Sequence, residues 1–459
     1  MPADPPDQHA LWQALTAPTR LPGLNAAGEA MLRRLRGHPA APIYRDVSGH
    51  RLGMALRWQA RCREPWLLHA PAPGPHAPRW LWPWMFSLQR RVRHWPTMAE
   101  LRRGWSGVRT TSRADLAARL ADLVPLDRQD KRLLCFTTSG TTGHPIRVPS
   151  SPLAAAAYQA LHERALRLHG VRMQARQGAV GVVLVGFQAR CFTYVSVNPL
   201  RGQCGLAKIN LNPTDWRHAD DRSRYLDDIA PELMSGDPVS LSELARLPMR
   251  HQPKALMSTS MAMSHGLRQR LSERFNCPVL DLYSMNEAGP IGVWVDAAEG
   301  FVLLQPGLYV EILDEQGQAV PIDTLGAITL TGGINACLPL LRYRTGDHAR
   351  LVMTAFGPTL RDLQGRPPVC FRAHDGQTVN NVELTQGLRH LDLQRFALHQ
   401  HTDGALTLRV ASDAPDQAAL HQALRDRIAA VLGPCPLHIT PLLADDKVRQ
   451  YTSDLETIA

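Results

Sequence analysis

Apolar residues follow strand-like and helix-like spacings in turn along most of the chain. Apolar runs at 133–136 and 179–186 predict buried strands, and the segment 154–168 between them has helical spacing. Strands that alternate with amphipathic helices predict an α/β body. Further along, the apolar segments 308–313 and 327–333 flank a turn at 314–317. This arrangement predicts a β-hairpin or small barrel subdomain on the large multi-layer α/β domain.

The two ends of the chain have patterns of their own. Residues 1–104 are rich in Pro, Trp and Arg, and we predict a helical portion packed on the large domain, with a surface loop at 70–82. After Asp375 the spacing predicts strands at 393–398, 406–410 and 437–443. A helix from about Pro415, capped by Ser412 or Asp413 and ended by Gly433, lies between the last two. The predicted domains are therefore 1–104, 105–375 and a small, mobile α+β domain at 376–459.

Composition narrows the class of protein. The 459 residues exceed what one hydrophobic core usually holds, and 44% hydrophobic with 20% charged residues is typical of folded domains. No apolar run approaches the ~18 residues of a membrane span, and the acidic N-terminus lacks a signal-peptide layout. We therefore expect a cytoplasmic protein without a membrane partner. The eight cysteines lack metal-ligand spacing, which favours reduced thiols.

The net charge of +10 raises the question of a nucleic-acid partner. Arginines, however, are interspersed with acidic residues along most of the chain. The densest basic stretch, 90–103, has the helix-like spacing of a solvated face. We therefore expect no nucleic-acid partner.

A loop rich in glycine and hydroxyl side chains follows the first predicted strand. It runs Thr137-Thr138-Ser139-Gly140-Thr141-Thr142-Gly143. Glycines let a backbone approach a ligand closely, and hydroxyls with exposed N–H groups form an anion-binding nest. The loop lacks the Gly-Lys-Ser/Thr ending of an NTPase P-loop. Taken alone, this segment has two interpretations, a phosphate-binding site or an ordinary Ser/Thr-rich turn.

Further motifs follow this loop in a fixed order. They are Tyr-Ser-Met-Asn-Glu-Ala-Gly at 283–289, Pro-Leu-Leu-Arg-Tyr-Arg-Thr-Gly-Asp at 339–347 and Phe-Arg-Ala-His-Asp at 371–375, with Thr-Thr-Ser-Arg-Ala-Asp-Leu-Ala at 110–117 before them. Together they resemble the signatures of the adenylate-forming superfamily, and most closely its phenylacetate–CoA ligase-like branch. The resemblance covers about residues 105–459 and implies an enzyme that uses ATP and Mg²⁺.

The resemblance assigns roles to individual residues. The loop residues Thr137, Thr138, Ser139, Gly140, Thr141, Thr142 and Gly143 would hold the phosphates of ATP, with Thr142 taking part in catalysis. Glu287 would bind Mg²⁺ and Asn286 would donate to a phosphate. Tyr283 would pack on adenine, and Asp347 would accept hydrogen bonds from the ribose, with Arg372 nearby. Asp375 would be the domain hinge.

A lysine near the C-terminus completes the set implied by the resemblance. Lys447 would bridge the carboxylate of the substrate and the α-phosphate during adenylation. Only four lysines stand among the 51 basic residues of the chain, so a lysine at this one position favours a need for a compact ammonium group. The alternative is a solvated lysine that pairs with a neighbouring aspartate.

The acyl pocket is expected between the strand 179–186 and the segment 258–264. Its candidate wall residues are Phe187, Phe192, Tyr194, Ser260 and Met261. Each aromatic side chain alone is more typical of core packing.

Three hypotheses of function follow. In the first, an adenylate-forming ligase activates an aromatic or other small carboxylic acid as acyl-AMP, releases pyrophosphate, and passes the acyl group to coenzyme A or an acyl carrier protein. In the second, the acceptor is an amine, which gives an amide-forming or N–N-forming biosynthetic ligase. In the third, the protein binds nucleotide without catalysis, which Ser284, Asn286 and Phe371 favour because they replace the usual Gly, Thr and Gly. The sequence leaves the acid, the acceptor and a homodimer open.

Overall fold

The computed structural model describes residues 8–129, 133–137, 146–260, 263, 265–364, 369–388, 391, 393, 395–412, 416–442 and 451–455. The chain divides into two compact units. The larger unit comprises Met1–Leu134 and Pro149–Gly365, and the smaller unit comprises Cys135–Val148 and Arg366–Ala459.

Helices make up the described N-terminal portion. Those among the described residues are α1 (Gln8–Thr16), α2 (Ala26–Arg36), α3 (Met54–His69), α4 (Leu81–Leu88), α5 (Met98–Arg102) and α6 (Arg113–Leu123). The predicted loop at 70–82 corresponds to the connection between α3 and α4. Leu32 and Leu35 of α2 are buried in one cluster with Val183 and Val195 of the sheet described next. The N-terminal helices therefore share a hydrophobic core with the α/β body.

A large sheet with crossing helices forms the body of the larger unit. The short strands β1 (Leu134–Thr137) and β2 (Arg147–Ser150) form a separate two-stranded sheet, most of β1 and the first half of β2 being counted in the smaller unit. The elements that follow in the larger unit are α7 (Pro152–Leu168), β3 (Val180–Gly186), β4 (Tyr194–Asn198), β5 (Cys204–Asn210), α8 (Asp221–Ile229), β6 (Leu233–Gly236), α9 (Pro238–Arg246), β7 (Ala255–Ser258), α10 (His265–Phe275), β8 (Val279–Met285), β9 (Gly289–Val295), β10 (Gly300–Leu303), β11 (Leu308–Leu313), β12 (Gly326–Gly332), β13 (Leu340–Thr354) and β14 (Gly357–Gln364). The helix predicted at 154–168 and the strand predicted at 179–186 are confirmed as α7 and β3.

The sheet has a parallel half and an antiparallel half. The described strands form one 12-stranded sheet in the order β11-β12-β13-β14-β10-β9-β8-β7-β6-β3-β5-β4. Strands β5, β3, β6, β7 and β8 run parallel, as crossover helices require, whereas β8 to β14 pair antiparallel. The predicted hairpin at 308–333 is confirmed as β11–β12. It forms one edge of this sheet, where its apolar residues are buried.

The smaller unit is a compact α+β fold. Its elements after Arg366 are β15 (Cys370–Arg372), β16 (Thr378–Asn380), α11 (Asn381–Leu388), β17 (Arg395–Gln400), β18 (Leu406–Ala411), α12 (Gln417–Leu432), β19 (Leu437–Pro441) and β20 (Tyr451–Ser453). Four strands form a sheet in the order β19-β18-β17-β20. Leu398, Leu408, Leu424 and Ile428 are buried together in its core. This core also contains Phe371, whose ring meets Tyr451 edge to face at 5.9 Å.

Two local predictions were wrong. The cap of α12 is Asp416, whose side chain accepts a hydrogen bond from Ala419 N at 2.9 Å, and neither Ser412 nor Asp413. The carboxylate three residues before that N–H is within reach of it, so the helix begins at Gln417. The basic stretch 90–103 is helical only over Met98–Arg102, because Pro96 and the Thr97 capping box start a new helix there.

Among the described residues no helix is long and apolar enough to cross a membrane. The eight cysteines are free thiols, three of them buried.

Candidate active site

Glu287 lies in the tight connection between β8 and β9. The turn can form because Gly289 has φ +80°, and a side chain there would meet Ile334 at 2.9 Å and the Tyr158 ring at 3.3 Å. The turn therefore packs closely against Ile334 and Tyr158, and the side chain of Glu287 is only 2% exposed although that of its neighbour Asn286 is exposed. A carboxylate buried this deeply needs partners in the protein.

The carboxylate of Glu287 has a cation and a phenol beside it. Arg113 Nη1 lies 3.1 Å from Glu287 Oε1, and the Tyr343 hydroxyl donates to the same oxygen at 3.4 Å. Burial, and then the negative charge of Glu287, raises the pKa of Tyr343 well above its usual range. The same two causes raise the pKa of Tyr158 to about 12. Both phenols therefore stay protonated, and Tyr343 remains a hydrogen-bond donor to the carboxylate.

Arg113 reaches Glu287 because the segment before it pairs with β13. Thr111 N donates to Arg342 O at 3.0 Å, and Arg344 N donates to Thr111 O at 2.8 Å. Directly afterwards Ser112 caps α6 and forms a capping box with Asp115. The first residue of the helix, Arg113, is thereby positioned beside the buried carboxylate.

A second polar pair links the other two motifs. The Tyr283 hydroxyl donates to Asp347 Oδ2 at 2.7 Å, and Asp347 N donates to Thr345 Oγ1 at 3.0 Å. Burial, and then the charge of Asp347, raises the pKa of Tyr283 well above its usual range. Strands β8 and β13 are separated by three others in the sheet, so this hydrogen bond requires the sheet to curl. The curl brings the Tyr283, Glu287, Tyr343 and Asp347 side chains into one linked region of the larger unit.

The arginine at the centre of the third motif has a supporting role. Arg342 is 2% exposed, and it donates to Val108 O at 2.6 Å and to Gly317 O at 2.8 Å. Its guanidinium lies 3.8 Å from Glu311 and over the ring of Trp105. Burial raises the pKa of Glu311, and the charge of Arg342 opposes that shift. Arg342 therefore fastens residues 105–108 and the 314–317 turn to β13.

Several predicted residues lie outside the described residues. These are Thr138, Ser139, Gly140, Thr141, Thr142 and Gly143 of the loop, with Met261 and Lys447. Thr137 is the last residue of β1.

Two predicted residues lie among the described residues of the smaller unit after Arg366. Arg372 has an exposed side chain, and its backbone N–H and carbonyl both bond the side-chain amide of Gln400. Asp375 accepts a hydrogen bond from Gln377 N at 3.0 Å in the turn between β15 and β16. Their roles as ribose neighbour and hinge stay predictions.

The predicted pocket residues lie in different surroundings. Phe187 packs against the hydrophobic core of the larger unit. Phe192 is 50% exposed and contacts the ring of Tyr194 at 5.5 Å. Ser260 is exposed with φ +76°. Their assignment to an acyl pocket stays a prediction.

Sequence reasoning gave no role to Arg113 or Tyr343. Both lie inside the motifs 110–117 and 339–347, so the only signal for them was their position next to residues that did receive roles. The sequence pattern could not indicate which arginine of the motifs faces the carboxylate of Glu287. Arg113 does so, whereas Arg342 faces the backbone of neighbouring segments.

The fold is similar to that of a coenzyme A ligase of known structure. Over 87% of this chain and 89% of the other, the structure superposes on that of 2-hydroxyisobutyryl-CoA ligase in complex with 2-HIB-AMP and CoA, with a TM-score of 0.50 and 19% identity. At this identity the likeness shows the fold alone.

Two relatives are similar to this chain in sequence. The chain is 23% identical over 269 residues to a phenylacetate-coenzyme A ligase of Aromatoleum evansii, and 31% identical over 99 residues to one of Pseudomonas putida. The first alignment covers 56% of this chain and 58% of that protein, and the second covers 21% and 23%. The chain thus spans little more than half the length of the first relative. No protein-family profile matches it. The predicted resemblance to the phenylacetate–CoA ligase-like branch of the adenylate-forming superfamily is confirmed.

Proposed function

We propose that this protein activates a carboxylic acid with ATP, forms an acyl-AMP, releases pyrophosphate and passes the acyl group to a thiol. The observation that carries the proposal is the linked set of motif side chains, Glu287 with Arg113 and Tyr343, and Asp347 with Tyr283. Two relatives named phenylacetate-coenzyme A ligase support coenzyme A as the thiol and an aromatic or other small acid as the substrate. An acyl carrier protein is the other thiol donor that fits this chemistry.

The nucleotide would be held by Asp347 and Tyr283. A carboxylate offers about four acceptor positions, so the hydrogen bond from Tyr283 leaves room for ribose hydroxyls to donate to Asp347. The partly buried ring of Tyr283 would pack against adenine, while its hydroxyl fixes the orientation of the Asp347 carboxylate. The loop from Thr137 to Gly143 would hold the β- and γ-phosphates.

Glu287 would hold Mg²⁺ by a carboxylate oxygen. The donor chemistry fits, because Mg²⁺ prefers one or two carboxylates together with phosphate oxygens. Glu287 already has one positive group beside it, because Arg113 Nη1 lies 3.1 Å from its Oε1. When bound, Mg²⁺ would reduce the repulsion between the phosphates and the incoming carboxylate. Arg113 and the protonated Tyr343 would keep the Glu287 carboxylate oriented.

Lys447 would neutralise the two anions that react with each other. Attack of a carboxylate on the α-phosphate brings like charges together, and a mobile ammonium group can contact both. We propose this role from the sequence setting of Lys447 near the end of the smaller unit.

The deciding experiment measures pyrophosphate release with a panel of aromatic and short aliphatic acids. We expect ATP-dependent release with at least one acid, and a loss of about two to three orders of magnitude in Glu287→Gln, in line with removal of a preorganised electrostatic contact. The matched control is Glu299→Gln, because Glu299 is 77% exposed and pairs with Arg361 at the surface. It should retain the parent rate.

Acceptors are then added to the acid that gives release. Thioester formation with coenzyme A or a carrier protein supports the proposed thiol transfer, whereas product with an amine only would replace it by amide formation. ATP binding without pyrophosphate release for any acid would contradict the proposed activity and leave a silent nucleotide-binding protein.

A further inference from the structure

We propose that the smaller unit contains a binding site for a divalent transition metal, formed by His399, His401 and Asp454. The site is independent of the proposed adenylation chemistry and of the Mg²⁺ role of Glu287. It lies where β17 and β20 end side by side.

The topology of the small sheet brings these residues together. His399 lies in β17 and His401 is the first residue after the strand, and their rings meet edge to face at 4.5 Å. Strand β20 runs parallel to β17, with His399 opposite Thr452. One residue beyond β20, Asp454 N donates to Gln400 O at 2.9 Å. The backbone of Asp454 is therefore fixed beside both histidines.

The donor atoms converge. One ligand atom from each of the three residues lies within 4.8 Å of the other two. His399 Nε2 lies 3.0 Å from Asp454 Oδ2, and His401 Nδ1 lies 4.0 Å from the same oxygen. A tetrahedral zinc ion with bonds of ~2.0–2.2 Å has ligand atoms ~3.3 Å apart. The observed distances lie on both sides of that value, so small side-chain rotations would complete the geometry.

The opposite ring nitrogens are also held. His399 Nδ1 lies 2.8 Å from Thr452 Oγ1, and His401 Nε2 lies 2.8 Å from Thr407 Oγ1. Histidines that bind metals use the second nitrogen in a hydrogen bond of this kind, which fixes the ring and its tautomer.

The three ligands indicate which metal ions the site would bind. Two imidazoles and one carboxylate suit Zn²⁺, Ni²⁺ or Cu²⁺, whereas Mg²⁺ prefers oxygen ligands and retains its water. The side chains are 28%, 43% and 49% exposed, so water can occupy the remaining coordination positions. A bound ion would join the end of β20 to β17. Asp454 follows Lys447 by seven residues in the sequence, so the ion would fasten the chain just after the segment that carries this lysine.

The test is calorimetric titration of the reduced, tag-free full-length protein with ZnCl₂ in excess Mg²⁺. We expect one zinc site that the double variant His399→Ala/His401→Ala loses and that Asp454→Asn weakens. Thr452→Val should weaken zinc binding by about 10–100-fold, because it removes only the hydrogen bond that orients His399. The control is His438→Ala, an exposed histidine of the same unit, which should bind zinc like the parent protein.

Binding of Co²⁺ distinguishes this site from the free cysteines. We expect visible d–d absorption without a thiolate charge-transfer band, and its loss in the double variant. Circular dichroism of each variant checks its fold, and Thr452→Val and Asp454→Asn preserve side-chain shape if the alanine variants do not fold. The proposal is overturned if the parent protein binds no zinc, or if folded variants at these positions bind it as tightly as the parent.

Discussion

Replacing Arg113 by alanine tests whether Glu287 is a buried charge that depends on this guanidinium. Glu287 has a 2% exposed side chain, whereas that of Arg113 is 26% exposed. Removing one partner of a buried ion pair costs about 3–5 kcal/mol, because the other charge stays buried without it. Water can replace part of the partly exposed arginine, so we expect Arg113→Ala to lower the free energy of unfolding by about 2–4 kcal/mol.

The reverse substitution should be milder. Glu287→Gln leaves an arginine that still reaches water, and the new amide can accept from Tyr343, so we expect a loss of about 1 kcal/mol. The double variant Arg113→Ala/Glu287→Gln should be more stable than Arg113→Ala alone, because it no longer buries a charge. This asymmetry is the signature of a buried acid and a partly solvated base.

Urea unfolding followed by tryptophan fluorescence measures these differences. All ten tryptophans lie in the larger unit, so the signal reports that unit alone. The matched control is Arg109→Ala, because Arg109 is 91% exposed and pairs with Glu100 at 3.6 Å. We expect it to change stability by no more than about 0.5 kcal/mol. The reasoning would be refuted if Arg113→Ala and Arg109→Ala had the same free energy of unfolding. It would also be refuted if Arg113→Ala/Glu287→Gln were no more stable than Arg113→Ala.

Three further predictions concern single side chains. Asp347→Ala should raise the dissociation constant of ATP at least about tenfold, because it loses charge-assisted hydrogen bonds worth ~1.5–3 kcal/mol each; unchanged affinity in calorimetry would rule out the ribose role. Lys447→Ala and Lys447→Arg should both lose acyl-adenylate formation yet consume a supplied acyl-adenylate, and a parental rate in Lys447→Arg would make Lys208 the next candidate. Burial raises the pKa of Asp281 to about 6. The protonated side chain therefore contributes its full stability below the unfolded pKa of ~3.9, and this contribution is lost as pH rises through 6, because the buried carboxyl group then becomes charged. In urea unfolding, the free energy of unfolding of Asp281→Asn relative to that of the parent should therefore rise by about 2–3 kcal/mol between pH 4 and pH 7. A difference that does not change with pH would count against a raised pKa.

Local features of the fold were predictable because they depend on neighbouring residues. The helix α7 and the strand β3 follow from periodicity, and the hairpin β11–β12 follows from two apolar runs with a turn between them. The strand at the start of the small sheet was placed at 393–398 and occurs at Arg395–Gln400. Strand ends are set by pairing with β18 and β20, and the sequence near residue 393 contains no information on those partners.

Non-local features were not predictable. The order of the 12 strands joins β10 to β14 and places β3 between β5 and β6, and no spacing along the chain indicates such neighbours. The same holds for the site. Glu287 and Asp347 could be predicted from ordered motifs, but the Tyr283–Asp347 hydrogen bond depends on the curl of the sheet. The role of Arg113 depends on the pairing of Thr111 with β13.

The third motif shows how one strand serves both support and chemistry. Successive side chains of a β-strand point to opposite faces, and Arg342 and Arg344 both donate to backbone carbonyls of the 314–317 turn. Tyr343, between them, faces the opposite way and donates to Glu287.

The last residues of the motif form a turn-like contact of their own. Thr345 lies two positions after Tyr343, and its hydroxyl accepts from the backbone N–H of Asp347, while Gly346 between them has φ +91°. Arg342 therefore holds β13 against the N-terminal segment and Arg344 holds it against the 314–317 turn. Tyr343 between them faces Glu287, and Asp347 beyond them accepts from Tyr283. Because the same strand also pairs with Thr111, fastening the strand and placing Arg113 beside Glu287 are consequences of one set of contacts. Weakening the support at Arg342 would therefore disturb the polar groups of the site, although Arg342 contacts none of them in this structure.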